Sequence, residues 1–211
     1  MDQLFRAEFM SDRKNSCWYD DDETPKKMLE GARGELFPTL ENSDHWPVLS
    51  FLLNKCEGAQ SILDVGCGAA ALSQLVEWVY TGCDLPHIIE KVAKIHTPTA
   101  NLHAFDFYKD DLQFMNQHDV IVANAFIDVL DDPVDSLSNL MDVTRSYLIV
   151  HRQRITEGNS GSEKVDSYTG FSYSSMLSLK TLHDLCKEKN FNLQWVVPWS
   201  AEYYSFLLKK A

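Results

Sequence analysis

The residues able to do chemistry gather where apolar runs stop. SILDVGCGAA breaks at Asp64 and then sets Gly66 and Gly68 around Cys67. VYTGCDL ends on Asp84, 20 residues after Asp64, and NLHAFDF ends near Asp106. Glycines at a strand end let a ligand approach bare backbone, and the start of a following helix would offer free N–H groups to a phosphate or carboxylate. A carboxylate at the tip of the next strand can accept both hydroxyls of a ribose, or it can cap the helix PHIIEKV. Asp106 can accept from an adenine amino group beside Phe105 or Phe107, or it can cap a loop. Gly66, Gly68 and Ala71 also satisfy a loose dinucleotide-binding pattern.

The elements that must carry these residues alternate. SILDV, VYTGCDL, NLHAFDF, DVIVANAF and YLIVHRQRI read as strands. The stretches between them carry helical periodicity: AAALSQLVEW, PHIIEKVAKI with Pro86 in its first turn, and about Pro133 to Arg145. MLSLKTLHDLCKEKN is amphipathic, and NLQWVVPW and YYSFLLKK come after it as two adjacent strands joined at Ser200, Ala201 and Glu202. Strand–helix alternation predicts an α/β, Rossmann-like, mostly parallel sheet with helices on both faces. The last pair is too close for a crossover, so the seven-stranded sheet ends in a C-terminal antiparallel β-hairpin. Residues 1–42 are polar and irregular, an N-terminal extension whose Trp18, Tyr19 and Phe37 suit either a flap over a site or a solvated loop. Residues 43–211 form the domain, opening on a helix near SDHWP that Ser43 or Asp44 can cap.

Composition narrows the function. The formal charge of -12 argues against nucleic acid as partner. Cys17, Cys56, Cys67, Cys83 and Cys186 are odd in number and form no CxxC pair, so neither a disulfide framework nor a zinc site is expected, and the histidines lack ligand spacing: metal, none. No apolar run is long enough for a membrane span and no signal peptide is evident, so a cytoplasmic protein is expected.

DVGCGAA, TGCDLP, AFDF and DVIVANAFIDVL, in this order, resemble the motif series of class I S-adenosylmethionine-dependent methyltransferases. The resemblance covers about residues 60–211, and the terminal hairpin fits it. It implies S-adenosyl-L-methionine as cofactor: its methionine part at Asp64, Gly66, Cys67 and Gly68, its ribose at Asp84 beside Leu85, its adenine near Asp106 and Phe107, and Asn124 at the mouth shared with substrate. Ala70 stands where many members carry a third glycine. The tail from HRQRITEG onward resembles bacterial methyltransferases often associated with surface-polysaccharide gene clusters, a hint about substrate only.

Methyl transfer from a sulfonium needs positioning and, for some acceptors, removal of a proton. Asp128, His151 and Tyr168 are the candidate catalytic bases. His151 has a near-neutral reference pKa, yet is equally readable as a strand histidine with a backbone partner. Arg152 and Arg154 read as surface charges that could also attract an acidic substrate. The stretch from Glu157 to Ser175 reads as a lid with Tyr168, Phe171 and Tyr173 beneath it, or as a mobile insertion. Trp195 and Trp199 are expected to pack the hairpin. The expected activity is methyl transfer to oxygen or nitrogen of a small molecule, without nucleic acid or membrane. The alternatives are an NAD-dependent oxidoreductase, for which no Tyr-x-x-x-Lys pair is found after the fourth strand, and a non-catalytic cofactor-binding regulatory module.

Overall fold

The computed structural model describes residues 23–167 and 170–211. Its strands are β1 (Ser61–Val65), β2 (Val79–Asp84), β3 (Leu102–Ala104), β4 (Val120–Asn124), β5 (Tyr147–Thr156), β6 (Gly161–Ser167), β7 (Gly170–Ser178), β8 (Phe191–Ser200) and β9 (Tyr203–Lys210). β3, β2, β1, β4 and β5 are parallel neighbours in that order. β9 runs antiparallel to β5, and β8 antiparallel to β9. The predicted seven strands are therefore all present, with the terminal hairpin where the short Ser200–Glu202 link requires it.

Alternation along the central strands builds two cores. Leu63 and Val65, Ile121 and Ala123, and Leu148 and Val150 point to one face, under the helices Pro133–Val143 and Leu179–Glu188. Ile62, Val120, Val122 and Ile149 point to the other, against Leu49 and Leu52 of the helix Trp46–Leu53 and Ile89 and Ala93 beyond Pro86. Burial on both sides explains why these strands read as unbroken apolar runs.

Three local expectations are corrected. AAALSQLVEW makes only a four-residue 3-10 turn, Ala71–Gln74, entered through Ala70 in the left-handed region at φ 56°. The Ser73 hydroxyl donates to the Ala70 carbonyl at 2.7 Å and shortens the connection. The helix Trp46–Leu53 has no side-chain cap, although the Ser43 hydroxyl accepts the Trp46 N–H at 3.2 Å. The Glu157–Ser175 stretch is no irregular lid: it is largely the antiparallel hairpin β6–β7, which extends the sheet to nine strands. Its serines imitate a loop in sequence, yet Ser174, Ser175 and Ser178 are buried. Ser175 donates to the Leu130 carbonyl and its own carbonyl accepts from Gln153 Nε2 at 2.8 Å.

The two hairpins share β5. β9 pairs with Tyr147–Val150 and, past a register shift between Val150 and Gln153, with Gln153 and Arg154, while Arg154–Thr156 pairs in parallel with Met176–Ser178 of β7. Arg152 sits in that shift at φ 62°. A non-glycine residue there is strained, which the surrounding pairing must over-determine.

Candidate functional site

The carboxyl ends of β1, β2 and β4 converge on two adjoining cavities. An apolar slot is lined by Val65, Gly66, Cys83, Asp84, Leu85 and Ile88, and by Phe105, Phe107, Tyr108 and Phe126. A wider chamber is lined on one side by Asp64, Gly66 and Cys67, and on the other by Asn124, Arg152, Trp199 and His45. Gly66, Met28, Ala125 and Val129 belong to both. Such an apolar cleft with few convergent polar groups is where a small ligand binds in this class of sheet.

The glycine loop is shaped by backbone bonds. Gly66 and Gly68 have φ 69° and 53°. A Cβ on Gly66 would lie 2.4 Å from the Phe126 ring, so only glycine keeps this passage open. The N–H groups of Gly66 and Cys67 donate to the Cys83 carbonyl at 2.9 and 3.1 Å, and that of Gly68 to Asp84 Oδ2 at 2.8 Å. This corrects the expectation that the loop offers free N–H groups to an anion: they are turned onto the tip of β2, and no helix of useful length succeeds them. Among the described residues no hydrogen bond reaches the Gly66 or Gly68 carbonyl. These three N–H groups are thus already committed within the protein.

Asp84 stands at the junction of slot and loop. Its Oδ1 accepts the Leu85 N–H at 2.7 Å. Burial raises its carboxyl to about 6, against the lowering effect of the Gly68 and Leu85 N–H bonds. Each oxygen retains a lone pair for a further donor. The helix-cap reading is corrected: Leu85, not Asp84, is the residue before Pro86, and no side chain caps the helix start. Asp64 is 4% exposed and accepts the Tyr80 hydroxyl at 2.9 Å. Burial, opposed by that bond, lifts its carboxyl to about 7. Cys67 is a buried packing residue whose thiol burial pushes well up, so it brings no thiolate.

Other expected residues land differently. Asp106 is absent from the slot's wall: it accepts the Tyr108 N–H at 3.1 Å and pairs with Lys109 at 2.8 Å, organising the turn that places Phe107 and Tyr108. Asn124 lines the chamber, and its Oδ1 accepts from Arg152 Nε at 3.1 Å. Asp128 is held in the 3-10 turn Ile127–Val129 and lines neither cavity, where Val129 stands instead. Its Oδ1 is buried without a partner, and burial, opposed by the nearby Arg152 charge, raises its carboxyl to about 7. His151 is 1% exposed and also off the wall. Tyr168, Trp18 and Tyr19 lie outside the described residues. Arg154 does pair at the surface, with Glu163 and Glu202.

Two residues that the sequence reading undervalued reach the chamber. Arg152, read as a surface charge, is swung inward by its left-handed backbone, and its guanidinium lies 5.7 Å from the Trp199 ring. Trp199 is therefore a wall residue, whereas Trp195 packs edge-on to Phe51 at 5.1 Å. His45, just before the helix Trp46–Leu53, contacts His151 at 3.1 Å between Nδ1 and Nε2. No spacing in the sequence links residues 106 positions apart. Among the described residues no helix is long and apolar enough to cross a membrane, and no group of three or more His, Cys, Asp or Glu could hold a metal ion.

The chain matches the sequence family described as Methyltransferase domain over residues 63–149, from within β1 to the start of β5. No curated protein matches it in sequence. Its fold is similar to that of the SAM-bound amino pentose methyltransferase CalS10 of Micromonospora echinaspora, at 15% identity, TM-score 0.60, over 80% of this chain and 92% of that one. It is similar also to DesVI of Streptomyces venezuelae, at 12% identity and TM-score 0.59, over 90% and 99% of the two chains. A third likeness, at 17% identity and TM-score 0.59, is to human N-acetylserotonin methyltransferase in complex with SAM, over 90% of this chain and 57% of that one.

Proposed function

We propose that the chain is a class I S-adenosylmethionine-dependent methyltransferase, as its matched domain and its fold support, and that it methylates an oxygen or nitrogen of a small molecule held in the chamber beside Arg152 and Trp199. The observation that carries this reading is the state of the glycine loop. The N–H groups of Gly66, Cys67 and Gly68 are spent on Cys83 and Asp84, and Gly66 and Cys67 line the chamber. That favours an amino-acid nucleoside over the pyrophosphate of NAD.

When bound, S-adenosylmethionine supplies an electrophilic methyl on sulfur. The protein's part is placement. Asp84 accepts the ribose hydroxyls while keeping its two backbone donors. Phe105, Phe107, Tyr108 and Phe126 close an apolar slot around the base, which excludes water from one end of the site. Gly66, which lines both cavities, and the loop that continues to Gly68 would hold the amino-acid end of S-adenosylmethionine. The chamber then orients the acceptor for in-line attack, and holding both reactants in this way is worth more than any single contact. Met28, from the helix Glu23–Ala32, lines both cavities, so that helix contributes to their wall. The similar structures include methyltransferases named for an amino pentose and for N-acetylserotonin, both small molecules, which supports a small-molecule acceptor.

Isothermal titration of the full chain with S-adenosylmethionine, S-adenosylhomocysteine and NAD tests the reading. The two nucleosides are expected to bind and NAD to give no heat. Binding of NAD, or of none of the three, overturns it.

A further inference from the structure

His45, His151 and Ser205 form a chain that runs from the core to the chamber. Ser205 is 0% exposed and His151 1%. Ser205 Oγ lies 2.7 Å from His151 Nδ1, and His151 Nε2 lies 3.1 Å from His45 Nδ1. The Arg152 N–H approaches the same serine oxygen at 3.4 Å. A hydroxyl has one hydrogen, and a neutral imidazole has one donor and one acceptor nitrogen. If His151 donated from Nδ1, the buried Ser205 hydrogen would have no acceptor, a state that costs the full desolvation of the group. The satisfied arrangement has Ser205 accepting from Arg152 and donating to His151 Nδ1. His151 then donates from Nε2 to His45 Nδ1, and His45 carries its hydrogen on Nε2, the ring nitrogen left to serve the chamber. Both rings stay neutral: burial first, then the Arg152 charge, lowers His45 to about 4 and His151 to about 2.

The same wall holds Arg152, part-buried and fixed by Asn124 and Trp199. Asp44, the other charge beside His45, is exposed, so water and salt screen it more than they screen Arg152. Asp64 lies across the chamber at the glycine loop. We propose that the chamber takes a small organic acid, its oxyanion held by the His45 Nε2–H and the Arg152 guanidinium, with His45 acting as a donor and not as a base. Ser205 and His151 are positioning residues that set its tautomer. Phe37, Leu40 and Trp199 supply apolar wall for the rest of the molecule. This deepens the reading of the chamber as the acceptor's place and rests on it.

Long-range 1H–15N NMR of the full chain at pH 7.5 is expected to place the hydrogen on Nε2 in both His45 and His151. Titration with benzoate and with benzamide, its neutral counterpart, is expected to show benzoate at least tenfold tighter. Arg152→Gln should abolish that preference. Ser205→Ala should move hydrogen to His45 Nδ1 and weaken benzoate at least threefold, and Ser205→Thr, which keeps the hydroxyl, should restore both. A wild-type His45 carrying its hydrogen on Nδ1, or equal affinity for benzoate and benzamide, overturns the proposal. Neither measurement needs S-adenosylmethionine, so failure here is separable from failure of the methyltransferase reading, which the nucleoside titration reports.

Discussion

At the scale of single residues, Asp84 bears the most testable load. Its carboxylate already accepts two backbone N–H groups, and adding ribose hydroxyls makes it the hub of loop and ligand. Asp84→Ala is expected to weaken S-adenosylhomocysteine more than tenfold, since hydrogen bonds to a charged group contribute about 1.5–3 kcal/mol; an unchanged dissociation constant in calorimetry would refute the role. The ionised form is the one that accepts. Because burial raises this carboxyl to about 6, affinity should be level above pH 7 and fall below pH 6 as the group takes up a proton. The dissociation constant should rise about tenfold per pH unit there, and a flat profile from pH 5 to 8 would exclude Asp84 as the titrating contact. The acidic tips of β1 and β2 were legible in the sequence because strand, glycines and acid occur in order. His45 and the inward turn of Arg152 were not. The first depends on a contact between distant segments, and the second on a backbone conformation that an arginine rarely adopts.

At the scale of elements, the glycine turn and the β5 bulge decide what faces the site. Gly66→Ala introduces a Cβ at 2.4 Å from Phe126 and puts a side chain at φ 69°. Overpacking and left-handed strain each cost about 1–3 kcal/mol, so the variant should lose about 2–6 kcal/mol of stability in urea and lose nucleoside binding. Phe126→Leu in the same chain should return part of the stability by relieving the overlap. If Gly66→Ala unfolds like the parent, the close approach is wrong. The helix Glu23–Ala32 makes a second test: Met28→Ala removes a side chain shared by slot and chamber and should weaken S-adenosylhomocysteine about threefold to tenfold while leaving the urea midpoint nearly in place. Central strands were readable because burial on both faces writes long apolar runs. β6 and β7 were not, because their buried serines and flanking glycines imitate a loop. The turn after Gly68 reads as a helix in sequence because Ala71 and Leu72 fit either form.

At the scale of the molecule, the slot and chamber draw on several distant segments of the chain. The tips of β1 and β2, the turn after β3, the end of β4 and the helix Glu23–Ala32 all border the slot or chamber. A ligand that binds only this assembled form must stabilise the whole fold by mass action. At a concentration one hundred times its dissociation constant the gain is about 2.7 kcal/mol. For a chain of this size each kcal/mol moves the melting temperature by about 2–4 °C, so S-adenosylhomocysteine should raise it by about 5–11 °C in differential scanning calorimetry. NAD at the same concentration should leave it unmoved, as should S-adenosylhomocysteine added to Asp84→Ala at the concentration used for the parent. The pair of ligands discriminates because both contain adenosine, which one extends with an amino acid and the other with a pyrophosphate. A slot that merely accepted adenosine would respond to both. Only a loop whose N–H groups are already turned away responds to one.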